Sequence, residues 1–350
     1  MISYNEYNKS IGILGAGMSG LYLAKKIKEY NSYIDVIIYE KTDKLGGKFR
    51  LENGYLVGAE QVHYKNYSLY NYIKNLLKLK NIDINKVLIK LNEPIIISHN
   101  KNIKNSDYIE IINNLDYLSD DIKTIFICHE YSMEIEDIDK NALNIEISNL
   151  DKKLGTDNYI ITKTLYNLII NDLTENIKIE YLYDINNIKN HDIIVNAYIP
   201  NEYLRYIKPA IKIFFKNKKL LKIYNISNTY LYCKDKNISV CELWRNEDYF
   251  TIFATSSRSI KLNNLTDFEL KIFIKNMIKD IFDCDILVKK VYKKYWINSY
   301  HYPNSIDKSK FKENKYSCGE WLSPIFDASL NAAINSAEDV LEKLINDEII

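Results

Sequence analysis

The sequence predicts an α/β fold in which a doubly wound domain with a parallel sheet carries an inserted domain built on an antiparallel sheet. Near the start, an apolar run at 11–14, a glycine-rich turn at 15–20 and a second apolar run at 36–39 indicate a strand, a turn that opens a helix, and a strand. Later, residues 211–215 and 249–254 alternate in the way that is typical of antiparallel strands. The first pattern predicts the parallel sheet, and the second predicts the inserted domain.

Periodicity and capping residues predict the other elements. Apolar side chains at helical spacing indicate amphipathic helices at 68–80 and 328–346. Apolar runs at 178–183 and 193–197 indicate two more strands of the parallel sheet. A Thr-x-x-Glu pattern at 266–269 is a capping box, which predicts that another helix begins there.

Length and charge narrow the class of protein. The 350 residues suit two joined domains, and 47% apolar with 27% charged residues is typical of a globular enzyme. Lys and Arg total 47 against 46 Asp and Glu, so the net charge of +1 argues against a nucleic-acid-binding protein. The predicted domains are a cofactor domain over 1–80, 150–205 and 310–350, and a substrate or cap domain over 81–149 and 206–309.

Cysteine spacing and hydropathy predict neither a metal site nor a membrane anchor. No CxxC pair occurs among Cys128, Cys233, Cys241, Cys284 and Cys318, so no zinc cluster or disulfide framework is indicated. No apolar run reaches the roughly 18 residues that a membrane span needs. The first ten residues lack the apolar centre of a secretory signal. We therefore expect a cytoplasmic protein with reduced thiols and no membrane partner.

The motif at 15–20, Gly15-Ala16-Gly17-Met18-Ser19-Gly20, has the spacing of a dinucleotide-binding turn. Gly15 permits the tight turn, Gly17 lets a pyrophosphate approach the backbone, and Gly20 lets the helix lie close to the strand. Helix amides then face the phosphates. Glu40 follows the second strand and can accept hydrogen bonds from a ribose. The alternative interpretation is a glycine turn in an α/β domain that binds nothing.

The segment after the second strand resembles the flavin amine oxidase superfamily. Glu40-Lys41-Thr42-Asp43-Lys44-Leu45-Gly46-Gly47-Lys48 is similar to its pattern of an acid, a spacer, paired glycines and a basic residue. The resemblance implies FAD, with Gly47 against the cofactor and Lys48 neutralising phosphate. The family usually has Arg where this chain has Lys48, and Arg50 is a possible substitute. Gly58-Ala59-Glu60 resembles the family segment that passes near the flavin.

Two further segments resemble the same superfamily. Cys318-Gly319-Glu320, followed by Phe326-Asp327-Ala328-Ser329-Leu330, is similar to its C-terminal FAD motif. The resemblance implies that Gly319 and Glu320 bind the ribityl chain, and that Ala328 and Leu330 open a helix whose amides face the flavin. Residues 177–185 resemble the strand that holds the adenine, which would place Leu182 there. The helix could instead be a purely structural closing helix. We expect FAD to be bound non-covalently.

The resemblance also suggests where a reaction would occur. Residues 211–215 resemble the strand that carries a lysine bonded through water to the flavin, which would be Lys212; the alternative is an exposed lysine. Trp296, Tyr300 and Tyr302 resemble the aromatic segment on the substrate side, where a ring could hold a cation or a planar group. Ser329 stands where the family has its second aromatic, so the cage is incomplete.

The small size and the C-terminal motif most resemble renalase-like oxidoreductases. This resemblance implies an FAD-dependent oxidoreductase that takes a hydride from a small amine or a reduced nicotinamide-type substrate and is reoxidised by oxygen. Two alternatives stay open: a flavin-binding protein without catalysis, and a flavin-dependent sugar isomerase, which would need two arginines near the flavin. The expected partners are a small-molecule substrate and oxygen.

Overall fold

The computed structural model describes residues 9–63, 67–92, 94–98, 102–103, 158–184, 188, 190–201, 204, 207–233, 241–301, 315–322 and 329–350. The helices are α1 (Met18–Tyr30), α2 (Tyr67–Leu79), α3 (Lys163–Thr174), α4 (Leu220–Ile223), α5 (Ser256–Asn264), α6 (Asp267–Phe282) and α7 (Leu330–Asn346). The strands are β1 (Ser10–Leu14), β2 (Asp35–Glu40), β3 (Leu51–Glu52), β4 (Tyr55–Leu56), β5 (Gln61–His63), β6 (Leu88–Leu91), β7 (Ile95–Ser98), β8 (Asn102–Ile103), β9 (Asn158–Ile161), β10 (Lys178–Tyr181), β11 (Ile193–Asn196), β12 (Ile207–Phe215), β13 (Thr229–Cys233), β14 (Cys241–Asn246), β15 (Tyr249–Thr255) and β16 (Val291–His301).

A four-stranded parallel sheet in the order β10-β2-β1-β11 forms the centre of the cofactor domain. The central strand β1 is an almost wholly apolar and buried run, which is typical of a parallel strand covered on both faces. Apolar faces of α1, α2, α3 and α7 share one core with this sheet. The predicted doubly wound α/β domain is therefore confirmed.

The second domain is built on a seven-stranded sheet in the order β16-β12-β15-β14-β13-β7-β8. All its neighbouring strands are antiparallel except β7 and β13. The predicted antiparallel sheet is thus confirmed. It also includes β7 and β8, which lie in a region for which periodicity gave no clear prediction. The structure also has two small antiparallel sheets, one formed by β3 and β4 and the other by β5, β9 and β6 in that order.

Side-chain alternation gives the seven-stranded sheet two different faces. On β12, Ile211, Ile213 and Phe215 point into a core that is completed by α6. Lys212 and Phe214 point to the opposite face, which we call the inner face. The inner face carries most of the polar side chains discussed below and is turned towards the chain at 48–60.

Local signals set several boundaries. The predicted capping box is present at the start of α6, with Thr266 and Glu269 bonded reciprocally. The last helix begins at Leu330 rather than at 328, because the Ser329 side chain caps it. The strand predicted at 178–183 ends at Tyr181, and Leu182 follows with a φ of 54°. Within the described part of the chain, no helix is long and apolar enough to cross a membrane.

Candidate cofactor and substrate site

The glycine turn lies between β1 and α1 at the carboxyl edge of the parallel sheet. Gly15 has a φ of 111°, and its amide donates to the Tyr39 carbonyl oxygen over 2.9 Å. A Cβ on Gly20 would lie 2.1 Å from the Gly15 oxygen, so the helix approaches the turn as closely as only glycine allows. A Cβ on Gly17 would meet nothing within 4 Å. The turn therefore leaves open space beside first-turn amides that lack intrahelical partners.

Glu40 supports this turn and keeps capacity to bind a ligand. Its Oε2 accepts from the Ala16 amide at 2.9 Å, and its Oε1 accepts from the Thr42 amide and hydroxyl at 2.9 and 2.8 Å. A carboxylate offers about four acceptor positions, so one remains for a ribose hydroxyl. Lys41, the next residue, is exposed. The residues that shape the turn thus fit a dinucleotide.

The paired glycines lie directly against the glycine turn. The Gly46 amide donates to the Ala16 oxygen at 2.8 Å, and Gly17 and Gly46 form a parallel bridge. A Cβ on Gly47 would come within 3.2 Å of the Gly17 Cα. The resemblance implied a segment against the cofactor, and the structure adds that this segment is held by the first motif. The two motifs form one backbone surface.

Lys48 connects this surface to the other end of the chain. Its carbonyl oxygen accepts from the Ala59 amide at 3.0 Å, and a Cβ on Gly58 would lie 1.2 Å from the same oxygen. Its ammonium binds the Glu320 carboxylate and the Ser299 carbonyl oxygen, the latter at 2.6 Å. The charge expected to neutralise phosphate is therefore compensated within the protein, by the acid expected at the ribityl chain. Neither side chain is as free as the resemblance implied.

The C-terminal motif is held by β11 and α7. The Cys318 amide donates to the Asn196 oxygen at 2.9 Å, and the Gly319 amide donates to the Ser336 hydroxyl at 2.8 Å. These bonds place Glu320 beside Lys48. Burial raises the pKa of the Cys318 thiol to about 12, so at neutral pH it is not a thiolate nucleophile.

Ser329 has a structural role that sequence reasoning missed. Its hydroxyl accepts from the Ala332 amide at 3.2 Å and caps α7, which leaves the Leu330 amide in the first helical turn. The motif Ser-x-x-Ala at this point carries the signal of a cap, since Ser is a preferred N-cap residue. Ala328 lies outside the described residues.

Glu60 and Lys212 form a buried ion pair between the two domains. The Lys212 ammonium donates to Glu60 Oε1 at 2.7 Å, and the exposed fractions of the two side chains are 7% and 0%. The Trp244 indole and the Asn246 amide donate to the same carboxylate at 3.0 and 2.8 Å. The alternative of an exposed lysine is therefore wrong. Glu60 was predicted to bind cofactor, but its carboxylate is engaged by three protein donors.

Trp296 lies on the inner face with two cations over its ring. The Arg50 guanidinium carbon is 5.0 Å and the Lys294 ammonium 4.9 Å from the ring centroid, and the indole nitrogen donates to the Val57 oxygen at 3.0 Å. The family resemblance suggested that this ring could hold a substrate cation. The structure corrects that expectation, because the protein itself supplies the cations.

One carboxylate, Glu52, holds this group of cations together. It pairs with Arg50 at 2.6 Å and Lys294 at 3.0 Å, and it accepts from the Tyr292 hydroxyl at 2.9 Å. Burial alone would raise the pKa of Glu52, but hydrogen bonds from Lys294 and Tyr292 and the charge of Arg50 lower it to about 2. Lys44 lies 3.4 Å away. Three cations therefore surround one acid that is charged at neutral pH.

The positions of two other predicted residues, Leu182 and Tyr300, do not indicate a role in binding. Leu182 is 73% exposed, and its amide donates to the Thr42 oxygen at 3.3 Å, so it lies beside the turn that follows β2. The Tyr300 backbone pairs with Lys208 on β12. The Tyr300 side chain and all of Tyr302 lie outside what the structure describes.

The sequence did not predict the residues that contact Glu60 and Trp296 from the seven-stranded sheet, other than Lys212. Trp244 and Asn246 lie on β14, a strand within the predicted antiparallel region that was not singled out, and Lys294 lies on β16 close to the predicted Trp296. The inward direction of Lys294 could have been found, since it shares the face of Trp296 two residues away. Among the described residues, no cluster of three or more His, Cys, Asp or Glu could hold a metal.

Comparisons with known proteins agree with the geometry. Residues 13–62 match the model of the NAD(P)-binding Rossmann-like domain. A search of curated proteins finds no match. Among solved structures, the chain is similar to a "Putative protoporphyrinogen oxidase" from Exiguobacterium sp. 255-15, at 13% identity and a TM-score of 0.66, over 96% of this chain and 98% of that one. At this identity the likeness shows the fold, so the chain has a Rossmann-like dinucleotide domain within an architecture that the two proteins share.

Proposed function

We propose that this protein is an FAD-dependent oxidoreductase that takes a hydride from a small reduced substrate, with oxygen as the final acceptor. The observation that carries the proposal is the single backbone surface formed by Gly17, Gly46 and the start of α1, with open space beside Gly17. The similarity of the whole fold to a protein described as an oxidase supports it. When bound, FAD would supply the two-electron acceptor.

The residues that would hold FAD come from both ends of the chain. First-turn amides of α1 would bind the pyrophosphate, and the remaining acceptor position of Glu40 would bind a ribose hydroxyl. Glu320 would bind the ribityl chain while paired with Lys48. The positive end of α7 would favour negative charge at Leu330. We propose non-covalent binding, because the Cys318 thiol is buried and protonated.

We propose that Lys212 provides the polar side chain at the place where the substrate reacts. Only one of its three N–H groups is needed for Glu60, so the others can hold a water molecule or a substrate oxygen. The Glu60 carboxylate holds the ammonium in one position. Burial of a lysine with its acid brings little stability by itself, which favours a functional reason for the pair.

Of the two substrate classes that the resemblance implies, we propose the reduced nicotinamide type. The cations near Trp296 would repel a protonated amine, whereas a dihydronicotinamide is uncharged at its ring and carries anionic phosphates in its nucleotide forms. Other small reduced anions satisfy the same charge requirement.

The test is the visible spectrum of the purified protein after addition of FAD, followed by anaerobic addition of NADH, NADPH or benzylamine. We expect flavin bands that bleach with a dihydronicotinamide and not with benzylamine. A Lys212→Met variant should bleach more slowly, whereas Lys216→Met, which removes an exposed lysine paired with Asp248, should match the wild type. Bound flavin that no donor reduces would favour the binding-only alternative, and failure to take up FAD would refute the proposal.

A further inference from the structure

The charges around Trp296 suggest which chemical group this part of the inner face binds. Two cations, Arg50 and Lys294, lie over the ring, and Lys44 is close by. Glu52 is the acid with which all three pair, so the group keeps an excess of positive charge. The side chains of Arg50 and Lys294 are only 14% and 23% exposed, where water screens charge less than at an open surface.

Arg50 also has hydrogen-bonding capacity left over. One of its terminal nitrogens pairs with Glu52, and its buried Nε has no hydrogen-bond partner among the described residues. The guanidinium as a whole is partly exposed, so its other N–H groups can donate to a bound oxyanion. The guanidinium fork matches the oxygens of a carboxylate or a phosphate.

We propose that Arg50 and Lys294, beside Trp296, form a binding site for the anionic group of the substrate, a carboxylate or a phosphate, and exclude protonated amines. The identification of this ligand as a substrate rests on the proposed function, but the charge preference of the site does not. An oxyanion gains attraction from both cations and can accept hydrogen bonds from the Arg50 guanidinium. An ammonium meets like charge from the two protein cations that lie over the ring.

Tryptophan fluorescence can measure this preference without any cofactor. The chain has three tryptophans; Trp244 and Trp321 are 1% and 2% exposed, whereas Trp296 is partly exposed. Collisional quenching by ions therefore reports mainly on Trp296. In the full-length protein at constant ionic strength, with each quenching constant divided by that of free N-acetyltryptophanamide, we expect iodide to quench about sevenfold more efficiently than caesium. This is the ratio that a local positive potential of about one kT produces for ions of opposite unit charge. Equal quenching, or stronger quenching by caesium, would overturn the proposal.

A matched pair of variants locates the effect. Lys294→Gln should lower the iodide-to-caesium ratio at least about twofold, because it removes one of the two cations over the ring. Lys293→Gln removes the neighbouring lysine, whose ammonium binds the Asn263 and Leu265 carbonyl oxygens, and should leave the ratio unchanged. Equal effects of the two substitutions would contradict the assignment. The wild-type quenching ratio tests the proposal even if a variant fails to fold.

Benzoate and benzylamine, which share a ring and differ in charge, test binding directly. Benzoate should protect Trp296 from quenching by neutral acrylamide, with a dissociation constant about fivefold to tenfold weaker in Lys294→Gln and unchanged in Lys293→Gln. Inorganic phosphate should compete with benzoate. Benzylamine should give no protection. Protection by benzylamine, or none by benzoate or phosphate, would refute the anion site, whereas loss of FAD uptake would refute only the proposed function.

Discussion

At the scale of single residues, the protein places buried and half-buried charges in pairs that join distant parts of the chain. Lys212 and Glu60 are 152 residues apart, and Lys48 and Glu320 are 272 apart. The first pair joins the cofactor domain to the seven-stranded sheet, and the second joins the segment after β2 to the C-terminal motif. Because the Lys212–Glu60 pair is almost fully buried, removal of one partner leaves an uncompensated charge in the interior.

Two lysines test this point: Lys212, which lies on β12, and Lys216, which directly follows that strand. Lys212→Met should lower the free energy of unfolding by about 3–5 kcal/mol, the cost of breaking a buried pair. Lys216→Met breaks an exposed pair with Asp248 and should cost less than about 1 kcal/mol. Urea unfolding measures both values. In the double variant Lys212→Met/Glu60→Gln the loss should be smaller than the sum of the two single losses; simple additivity would show that the two side chains do not interact.

At the scale of elements, the junction between the two glycine motifs depends on close backbone approach. Gly46 has a φ of 88°, and a Cβ there would lie 1.8 Å from the Phe49 oxygen. Since this oxygen belongs to the backbone, the chain cannot yield as a flexible side chain would. The amide that docks the segment onto Ala16 belongs to the same residue.

Gly46→Ala should therefore weaken FAD binding and lower stability by more than the conformational cost of a positive φ, which is about 1–2 kcal/mol. Gly54→Ala provides the matched control: Gly54 has a φ of 78°, but a Cβ there meets nothing within 4 Å. For Gly54→Ala, thermal unfolding should show a loss of stability equal to the conformational cost alone. FAD titration should show unchanged affinity. Similar losses in the two variants would mean that the contact with Phe49 is readily relieved.

At the scale of the whole molecule, the two domains are held together partly by ionic contacts that respond to pH. Glu52, on the hairpin strand β3, binds Lys294 and Tyr292 of β16 in the seven-stranded sheet. Its pKa falls from 4.5 to about 2 on folding. The ionised carboxylate therefore stabilises the folded state fully above pH 4.5, and this contribution is lost as the pH falls towards 2.

Urea unfolding between pH 6 and pH 3 measures this contribution. The wild type should lose stability steadily as the pH falls below about 5, with Glu52 accounting for at most about 3 kcal/mol. Other acids with lowered pKa values, such as Asp248 and Asp347, contribute in the same direction. The Glu52→Gln variant keeps these and should show a shallower slope. Parallel curves for the two proteins would show that Glu52 does not stabilise the domain contact.

Much of the fold was predictable because its signals are local. The turn at Gly15, the acid at Glu40 and the capping box at the start of α6 each depend on residues within a few positions of one another. The start of α7 was predicted two residues too early, since Ser329 was interpreted through its family position and not as a helix cap. Strand β7 gave no clear signal, because its partner β13 lies more than 100 residues further along the chain, and the two-residue strand β8 pairs with β7.

The sequence by itself determined the strands and helices with strong local signals, the glycine turn and the acid that supports it, since local backbone conformation follows from nearby residues. Only the tertiary structure decided which charges meet: that Lys48 pairs with Glu320, that Lys212 is buried against Glu60, and that cations cover Trp296. The physical reason is distance along the chain. Spacing and periodicity act over a few residues, whereas ion pairs and ring contacts form between segments that only the complete fold brings together.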